Sequence, residues 1–116
     1  MDDQNEIGME IIESVTVLDI RGDVTVASEP FLKVAYEKAA KQGAVKIVLK
    51  FHENVYINSG GIATLLQLFS QIKINNQQIA IAGLSEHFKK IFSMVGITKF
   101  AKIYGTVDEA REGLSK

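Results

Sequence analysis

The sequence predicts a single α/β domain, with a central mixed, mostly parallel sheet of about five strands and about four helices packed on it. After an initial pair of strands, short apolar segments alternate with segments of helical periodicity, which indicates parallel strands connected through helices. The 116 residues contain one proline and no repeat, so no linker is expected to divide residues 1–116. Apolar residues make up 47% and charged residues 23%, a balance typical of globular proteins.

The first two strands are predicted at residues 9–12 and 16–20, with a tight turn at Glu13 and Ser14 between them. The first thirteen residues contain five acidic side chains and no basic one, so residues 1–7 are expected to form a frayed tail.

Ser28 is predicted to cap the first helix, with Glu29 and Pro30 in the first turn and Gly43 past the end. The apolar positions at helical spacing are Phe31, Val34, Ala35 and Ala39. The nearly continuous apolar run at residues 45–51 is typical of a strand covered on both faces.

The second helix is predicted to follow Asn58-Ser59-Gly60-Gly61 and to end at Asn75-Asn76, before a short strand at residues 79–82. The apolar face of this helix comprises Ile62, Leu65, Leu66, Phe69 and Ile72. Ser85 is predicted to cap a third helix, and residues 102–104 to form the last strand. Thr106 and Glu109 have the spacing of a capping box, which predicts a final helix through Leu114.

Composition excludes several classes of function. The formal net charge is −1, which gives no electrostatic case for nucleic-acid binding, because such binding requires a basic face. The chain has no cysteine, and its two histidines, His52 and His87, have no carboxylate at metal-ligand spacing. Neither a phosphate-binding glycine loop nor a nucleophile elbow occurs. The sequence therefore predicts no catalytic residue, no metal, no cofactor and no enzymatic activity.

No apolar run approaches the roughly 18 residues needed to span a bilayer. The acidic start of the sequence does not resemble a signal peptide. A cytoplasmic protein that does not insert into membranes is expected.

The start of the second helix is the segment that suggests a function. Asn58 and Ser59 are strong N-cap types, and the glycines after them let the backbone turn. From Asn54 to Ser85, Lys73 is the one charged residue in 32 positions, and charge depletion marks the centre of protein interfaces. The alternative explanation is a helix largely covered by its own domain. The outer face of this helix is predicted to carry Thr64, Gln67, Ser70 and Gln71.

A phosphate on Ser59 would form a plausible switch. It would add about −1.5 to −2 charges next to the positive end of a helix dipole, so the fold is expected to tolerate it. A partner fitted to the neutral hydroxyl would have to desolvate the new charge.

Over roughly residues 9–114 the sequence resembles the STAS family and, within it, the bacterial anti-sigma factor antagonists. The resemblance rests on an ordered set of segments rather than on any one of them. These are the strand at residues 45–51, Ile57-Asn58-Ser59-Gly60-Gly61-Ile62, Ile81-Ala82-Gly83-Leu84-Ser85, Val95-Gly96-Ile97-Thr98-Lys99-Phe100 and Tyr104-Gly105-Thr106-Val107-Asp108-Glu109-Ala110.

The resemblance implies that Ser59 is the phosphate acceptor, since it matches the first serine of the family's Asp-Ser-Ser/Thr-Gly pattern. It implies two partners. One is an anti-sigma factor of the serine-kinase type, which binds the unphosphorylated antagonist and so releases its sigma factor; the other is a serine phosphatase. The oligomeric state is left open. The residues expected to bind the partner are Asn58, Ser59, Gly60, Gly61, Ile62, Thr64 and Gln67.

The sequence departs from that pattern at two positions. Asn58 replaces the usual Asp, which removes a carboxylate that would orient the hydroxyl, and Gly60 replaces the second hydroxyl residue. Both departures favour a second hypothesis, that the chain is an unphosphorylated STAS docking or scaffold module in a regulatory assembly or transport system. A catalytic or nucleotide-binding protein is the least favoured hypothesis, because no phosphate loop or acid–base pair occurs.

Overall fold

The computed structural model describes residues 5–115. Within them one five-stranded sheet contains the strands in chain order: β1 (Glu6–Ile12), β2 (Val15–Arg21), β3 (Lys46–Lys50), β4 (Gln78–Ala82) and β5 (Lys102–Tyr104). The first pair is antiparallel and the other pairs are parallel. The α-helices are α1 (Glu29–Lys41), α2 (Ser59–Ile74), α3 (Glu86–Met94) and α4 (Val107–Leu114). The predicted mixed sheet with four helices is confirmed.

The turn between β1 and β2 has two residues, as predicted. Glu13 and Ser14 have φ angles of 47° and 70°, and Ile12 pairs with Val15 on either side of them. Positive φ at both central positions is the geometry of the two-residue hairpin turn that matches strand twist.

The two faces of the sheet are covered unequally. One face, called here the three-helix face, is covered by α1, α2 and α3. On it, Ile47, Leu49 and Ile81 pack with residues of these helices in one buried cluster. On the one-helix face, α4 covers a smaller buried cluster that consists of Val15, Val17, Val48, Ala80, Ala82 and Ala110. Neighbouring residues of β3 thus point into different clusters, so the prediction of a strand buried on both faces is confirmed.

The helix ends follow local sequence rules at α3 and α4. The Ser85 hydroxyl accepts a hydrogen bond from the Phe88 amide at 3.2 Å. Thr106 and Glu109 form the predicted capping box. Arg111 of α4 reaches back to the β1–β2 turn, where its Nη2 lies 2.8 Å from Glu13 Oε1.

The start of α1 differs from the prediction. Ser28 makes no side-chain cap for α1. Its hydroxyl instead accepts a hydrogen bond from the Thr25 amide at 3.0 Å, because Thr25 caps a 3₁₀ turn at Val26–Ser28 that precedes the helix. Val34 is 64% exposed, so its assignment to the apolar face is also wrong. The side chains that α1 buries are Leu32, Tyr36 and Ala39.

The first strand begins earlier than expected. Glu6 and Ile7 of the expected tail pair with Arg21 and Ile20 in the sheet. Asn5 is buried, and its side-chain amide donates to the carbonyl of Arg21 at 2.9 Å. Residues 1–4 of that tail lie outside the described residues.

Candidate functional site

The start of α2 is fixed by a backbone contact with the loop after β2. Val24 donates its N–H to the Tyr56 carbonyl at 2.9 Å, and Asn58 donates its N–H to the Val24 carbonyl at 3.2 Å. These bonds form an isolated parallel bridge between Val24 and Ile57, both of which are buried. The first turn of α2 therefore has a rigid support formed by two buried apolar residues.

Of the two strong N-cap types at this position, Asn58 is the N-cap of α2 and Ser59 is the first helical residue. The backbone of Asn58 is extended (φ −89°, ψ 179°), and its side-chain oxygen accepts the Gly61 N–H at 2.8 Å. An aspartate would present the same kind of acceptor, so the amide preserves the helix start and removes only the negative charge.

Ser59 is the first residue of α2 and is exposed. Among residues 5–115, no hydrogen-bond partner is found for the backbone amides of Ser59 and Gly60, because the Asn58 side chain accepts only the N–H of Gly61. Unpaired amides and the positive end of the helix dipole favour negative charge at this position. The hydroxyl therefore lies where an enzyme could reach it and where a phosphate would be tolerated.

Uncharged side chains continue from Ser59 along the helix. Residues 59, 63, 66 and 70 share one stripe because the helix has 3.6 residues per turn. Ala63 is exposed, and Leu66 and Ser70 are half-buried. Lys73, the one charged residue of this region, lies about 21 Å from Ser59 along the helix axis. The surface next to the hydroxyl is therefore free of helix charges.

Two exposed apolar side chains flank the helix start. Val26 is 70% exposed, and a Cβ added to Gly60 would lie 3.5 Å from the Val26 Cβ. Tyr56 is 58% exposed, and its ring lies 5.9 Å from the Phe88 ring, edge to face. The Ser59 surface is defined here as the stripe Ser59, Ala63, Leu66 and Ser70 together with Val26 and Tyr56.

The predicted site residues do not all reach this surface. Asn58 and Gly60 are half-buried beside Ser59, and Gln67 is exposed. Ile62 is partly buried and packs against the core of the three-helix face.

Two of the predicted site residues, Thr64 and Gly61, face the interior of the domain. Thr64, expected on the outer face, is 7% exposed, and this expectation is wrong. It shares with Leu68 the side of α2 that faces α1. Gly61 is buried because the Val24 carbonyl occupies the space of a side chain, so it supports the site without being at its surface.

Sequence reasoning missed three residues of the site: Asp23, Val26 and Tyr56. Asp23 Oδ1 accepts the Tyr56 N–H at 3.1 Å, which brings a carboxylate of the β2 loop to the segment before α2. Val26 and Tyr56 lie 30 residues apart in sequence, and only the bridge between Val24 and Ile57 brings them together. The sequence offers one signal here, Gly22-Asp23 just after the second predicted strand, which is typical of a loop but does not indicate what the loop contacts.

A separate pair of titratable groups lies at the carboxyl ends of β2 and β3. His52 Nε2 is 2.6 Å from Asp19 Oδ1, and both side chains are about one quarter exposed. Burial raises the pKa of the Asp19 carboxyl, but the hydrogen bond from His52 and the positive charges of His52, Arg21 and Lys50 outweigh it. Together they hold the pKa of Asp19 below its ordinary value of 3.8.

This pair predicts a pH dependence of stability. Because the pKa of Asp19 is lower in the folded protein, its carboxylate stabilises the fold above about pH 5 and loses that effect as the pH falls below 3.8. We expect the difference in unfolding free energy between wild type and Asp19→Asn to shrink over that range in urea titrations. Glu53→Gln, which removes an exposed acid beside His52, is the control. A difference that stays constant from pH 7 to below 3.8 would contradict the assignment.

Within residues 5–115 no group of three His, Cys, Asp or Glu side chains is arranged to hold a metal ion. Over the same residues, none of the helices is both long and apolar enough to cross a membrane.

The family model for the STAS domain matches residues 6–110. A crystal structure of TM1081 from Thermotoga maritima, a proposed anti-sigma factor antagonist, is 20% identical with a TM-score of 0.81, and the match covers 95% of each chain.

The cell fate determinant SpoIIAA of Bacillus has the same fold. Its phosphorylated form matches with a TM-score of 0.63 at 15% identity, over 94% of this chain and 99% of that one. The unphosphorylated form of SpoIIAA, an anti-sigma factor antagonist, matches with a TM-score of 0.68 at 15% identity, over 95% and 96%.

Proposed function

Since the chain belongs to the STAS family, we propose that it is an anti-sigma factor antagonist whose partner binding is controlled by phosphorylation of Ser59. The observation that carries this proposal is the exposed Ser59 hydroxyl at the first turn of α2, on a helix stripe without charged side chains. SpoIIAA, a structural neighbour described as an anti-sigma factor antagonist, has been solved in phosphorylated and unphosphorylated forms, which supports the same kind of switch here.

In this proposal the unphosphorylated protein binds an anti-sigma factor of the serine-kinase type through the Ser59 surface and so releases the sigma factor. Val26 and Tyr56 supply the apolar area, and the small side chains of Ser59 and Ala63 let the partner approach closely. The protein acts in the cytoplasm as ligand and substrate and catalyses nothing itself.

Phosphorylation would change the surface without changing the fold. The phosphate would add about −1.5 to −2 charges beside the unpaired amides of Ser59 and Gly60, which favour an anion. The anti-sigma factor would then have to desolvate that charge against an apolar surface, and the complex would weaken. A serine phosphatase would restore the binding form.

Asn58 affects the transfer step in this proposal. Its side-chain oxygen is already engaged by the Gly61 N–H, and as a neutral amide it does not act as a base for the Ser59 hydroxyl. The kinase must therefore supply the group that accepts the hydroxyl proton while the serine oxygen attacks the γ-phosphorus and ADP leaves.

The test is phosphate transfer from a cognate anti-sigma kinase. We expect incubation with kinase and ATP to add one phosphate, which mass spectrometry maps to Ser59. Ser59→Ala should abolish the transfer, whereas Ser93→Ala, at an exposed serine of α3 outside the Ser59 surface, should leave it unchanged. Tight binding of the kinase without transfer would contradict phosphorylation control.

That result would favour the second candidate, a STAS docking or scaffold module that is not phosphorylated. Asn58 and Gly60 are the observations that support it, because the usual carboxylate and second hydroxyl are both missing. The Ser59 surface would then serve as a constitutive docking face, and binding would not respond to ATP.

A further inference from the structure

An open groove of about 810 Å³ runs between α1 and α2 on the side of α2 away from the Ser59 stripe. The lining residues extend from Glu29 to Lys41 on α1 and from Thr64 to Asn75 on α2. At 1.5 Å per residue these stretches are about 18 Å and about 16 Å long. The groove is therefore elongated, with the length of about three helical turns.

The floor of the groove is apolar. Leu32, Tyr36 and Leu68 line it and are 3%, 6% and 9% exposed. The one strongly polar atom among them, the Tyr36 hydroxyl, already accepts a hydrogen bond from Asn75 Nδ2 at 2.6 Å and donates to Gln77 Oε1. The floor formed by these three residues therefore favours aliphatic side chains, and the hydroxyl of Thr64 lies beside it.

The two rims differ in charge. The α2 rim carries neutral amides, Gln67, Gln71 and Asn75. The α1 rim alternates in sign, with Glu29, Lys33, Glu37 and Lys41 at intervals of four residues. Opposite charges at this spacing commonly pair with each other. None of the four takes part in an ion pair among residues 5–115.

We propose that this groove binds an amphipathic helix of a partner protein. About three turns of helix fill its length, and aliphatic residues at every third or fourth position meet the floor. Lysines and glutamates spaced four residues apart along one flank of that helix pair with the alternating rim of α1. A compact small molecule would contact neither the full length of the groove nor a charge pattern that repeats with each helical turn.

This groove is independent of the proposed switch. Ser59 lies on the stripe with Ala63 and Leu66, whereas Thr64 and Leu68 face the groove from another side of the same helix. A partner helix could therefore remain bound while the Ser59 surface changes charge, and failure of either proposal leaves the other standing.

The test uses three synthetic 14-residue helical peptides with the same leucine face and different flanks: alternating Lys and Glu, all Lys, or all Glu. Each is titrated into the isotope-labelled protein by NMR. We expect the alternating peptide to bind most tightly, by about fivefold, with shift changes confined to the groove residues. Because the rim alternates over four positions, this peptide is matched in one direction, and the reversed peptide would place like charges opposite each other.

Lys33→Glu gives the rim three consecutive acids, so the alternating and all-Lys peptides then each meet three opposite charges and one like charge. The roughly fivefold preference for the alternating peptide over the all-Lys peptide should therefore disappear. Lys38→Glu makes the same charge change on α1 outside the groove lining and should keep the wild-type order. The proposal is overturned if no peptide shifts the groove residues, or if Lys33→Glu and Lys38→Glu change the order equally. If a variant does not fold, the affinities of the three peptides for the wild-type protein are sufficient to test the proposal.

Discussion

Gly61→Ala is expected to lower the free energy of unfolding by about 3 kcal/mol, the largest effect of any single methyl group at the candidate site. Gly61 lies inside α2, so its backbone angles suit alanine and the defect is purely steric. An added Cβ would overlap the Val24 carbonyl oxygen and lie 2.6 Å from the carbonyl carbon.

Relief of that overlap requires the first turn of α2 to move away from the loop after β2. The hydrogen bonds between Val24 and both Tyr56 and Asn58 would then stretch or break. The bridge joins buried backbone, so its polar groups would lose their partners without gaining water. Urea unfolding monitored by circular dichroism measures the effect.

Gly60→Ala is the matched control, one residue earlier in the same turn. A Cβ there would meet Val26 N at 3.4 Å and Asn58 Oδ1 at 3.5 Å, so little has to move. Removal of a helical glycine should then raise the unfolding free energy by about 0.5–1 kcal/mol. Equal effects of the two substitutions would show that the Val24 contact does not hold the helix start in place.

Ser59→Asp is expected to weaken binding of the cognate anti-sigma factor by about tenfold or more. This effect is larger than the roughly fivefold difference expected among the peptides that bind the groove. The carboxylate places a charge on the Ser59 surface, next to Val26 and Ala63, where the partner would have to desolvate it. Isothermal titration calorimetry of the purified pair measures the loss.

Stability separates this effect from misfolding. A carboxylate at the first position of α2 meets the positive end of the helix dipole, so Ser59→Asp should match wild type in stability or exceed it by about 0.3–1 kcal/mol. Ser59→Asn adds similar bulk without charge and should bind nearly as well as wild type. Wild-type affinity for Ser59→Asp would exclude a charge switch, and equal losses for both variants would indicate a steric effect.

The elements of the fold could be predicted because their signals are local. The Ser85 cap, the Thr106–Glu109 box and the Glu13–Ser14 turn each depend on residues within four positions of one another, and each is confirmed. Ser28 was misassigned because Thr25, three residues earlier, takes the capping role in a 3₁₀ turn that helical periodicity does not reveal.

Which side of each helix is buried was harder to predict than the presence of the helix. Val34 and Thr64 both fit a helical pattern, yet which side meets the sheet depends on the neighbouring helix. At the candidate site, Asn58 and Ser59 were found from their capping chemistry. Val26 and Tyr56 were missed because a tertiary bridge between Val24 and Ile57 brings them to the site, and no sequence spacing records that bridge.

During synthesis, the valines and alanines of the one-helix face leave the ribosome well before the helix that covers them. Val15 and Val17 precede Ala110 by more than 90 residues, and the Arg111–Glu13 ion pair joins residues 98 positions apart. Contacts of such long sequence separation form late in folding. The nascent chain is therefore expected to present a bare sheet surface of valines and alanines until α4 has been synthesised, and exposed apolar sheet surface of this kind is prone to aggregate.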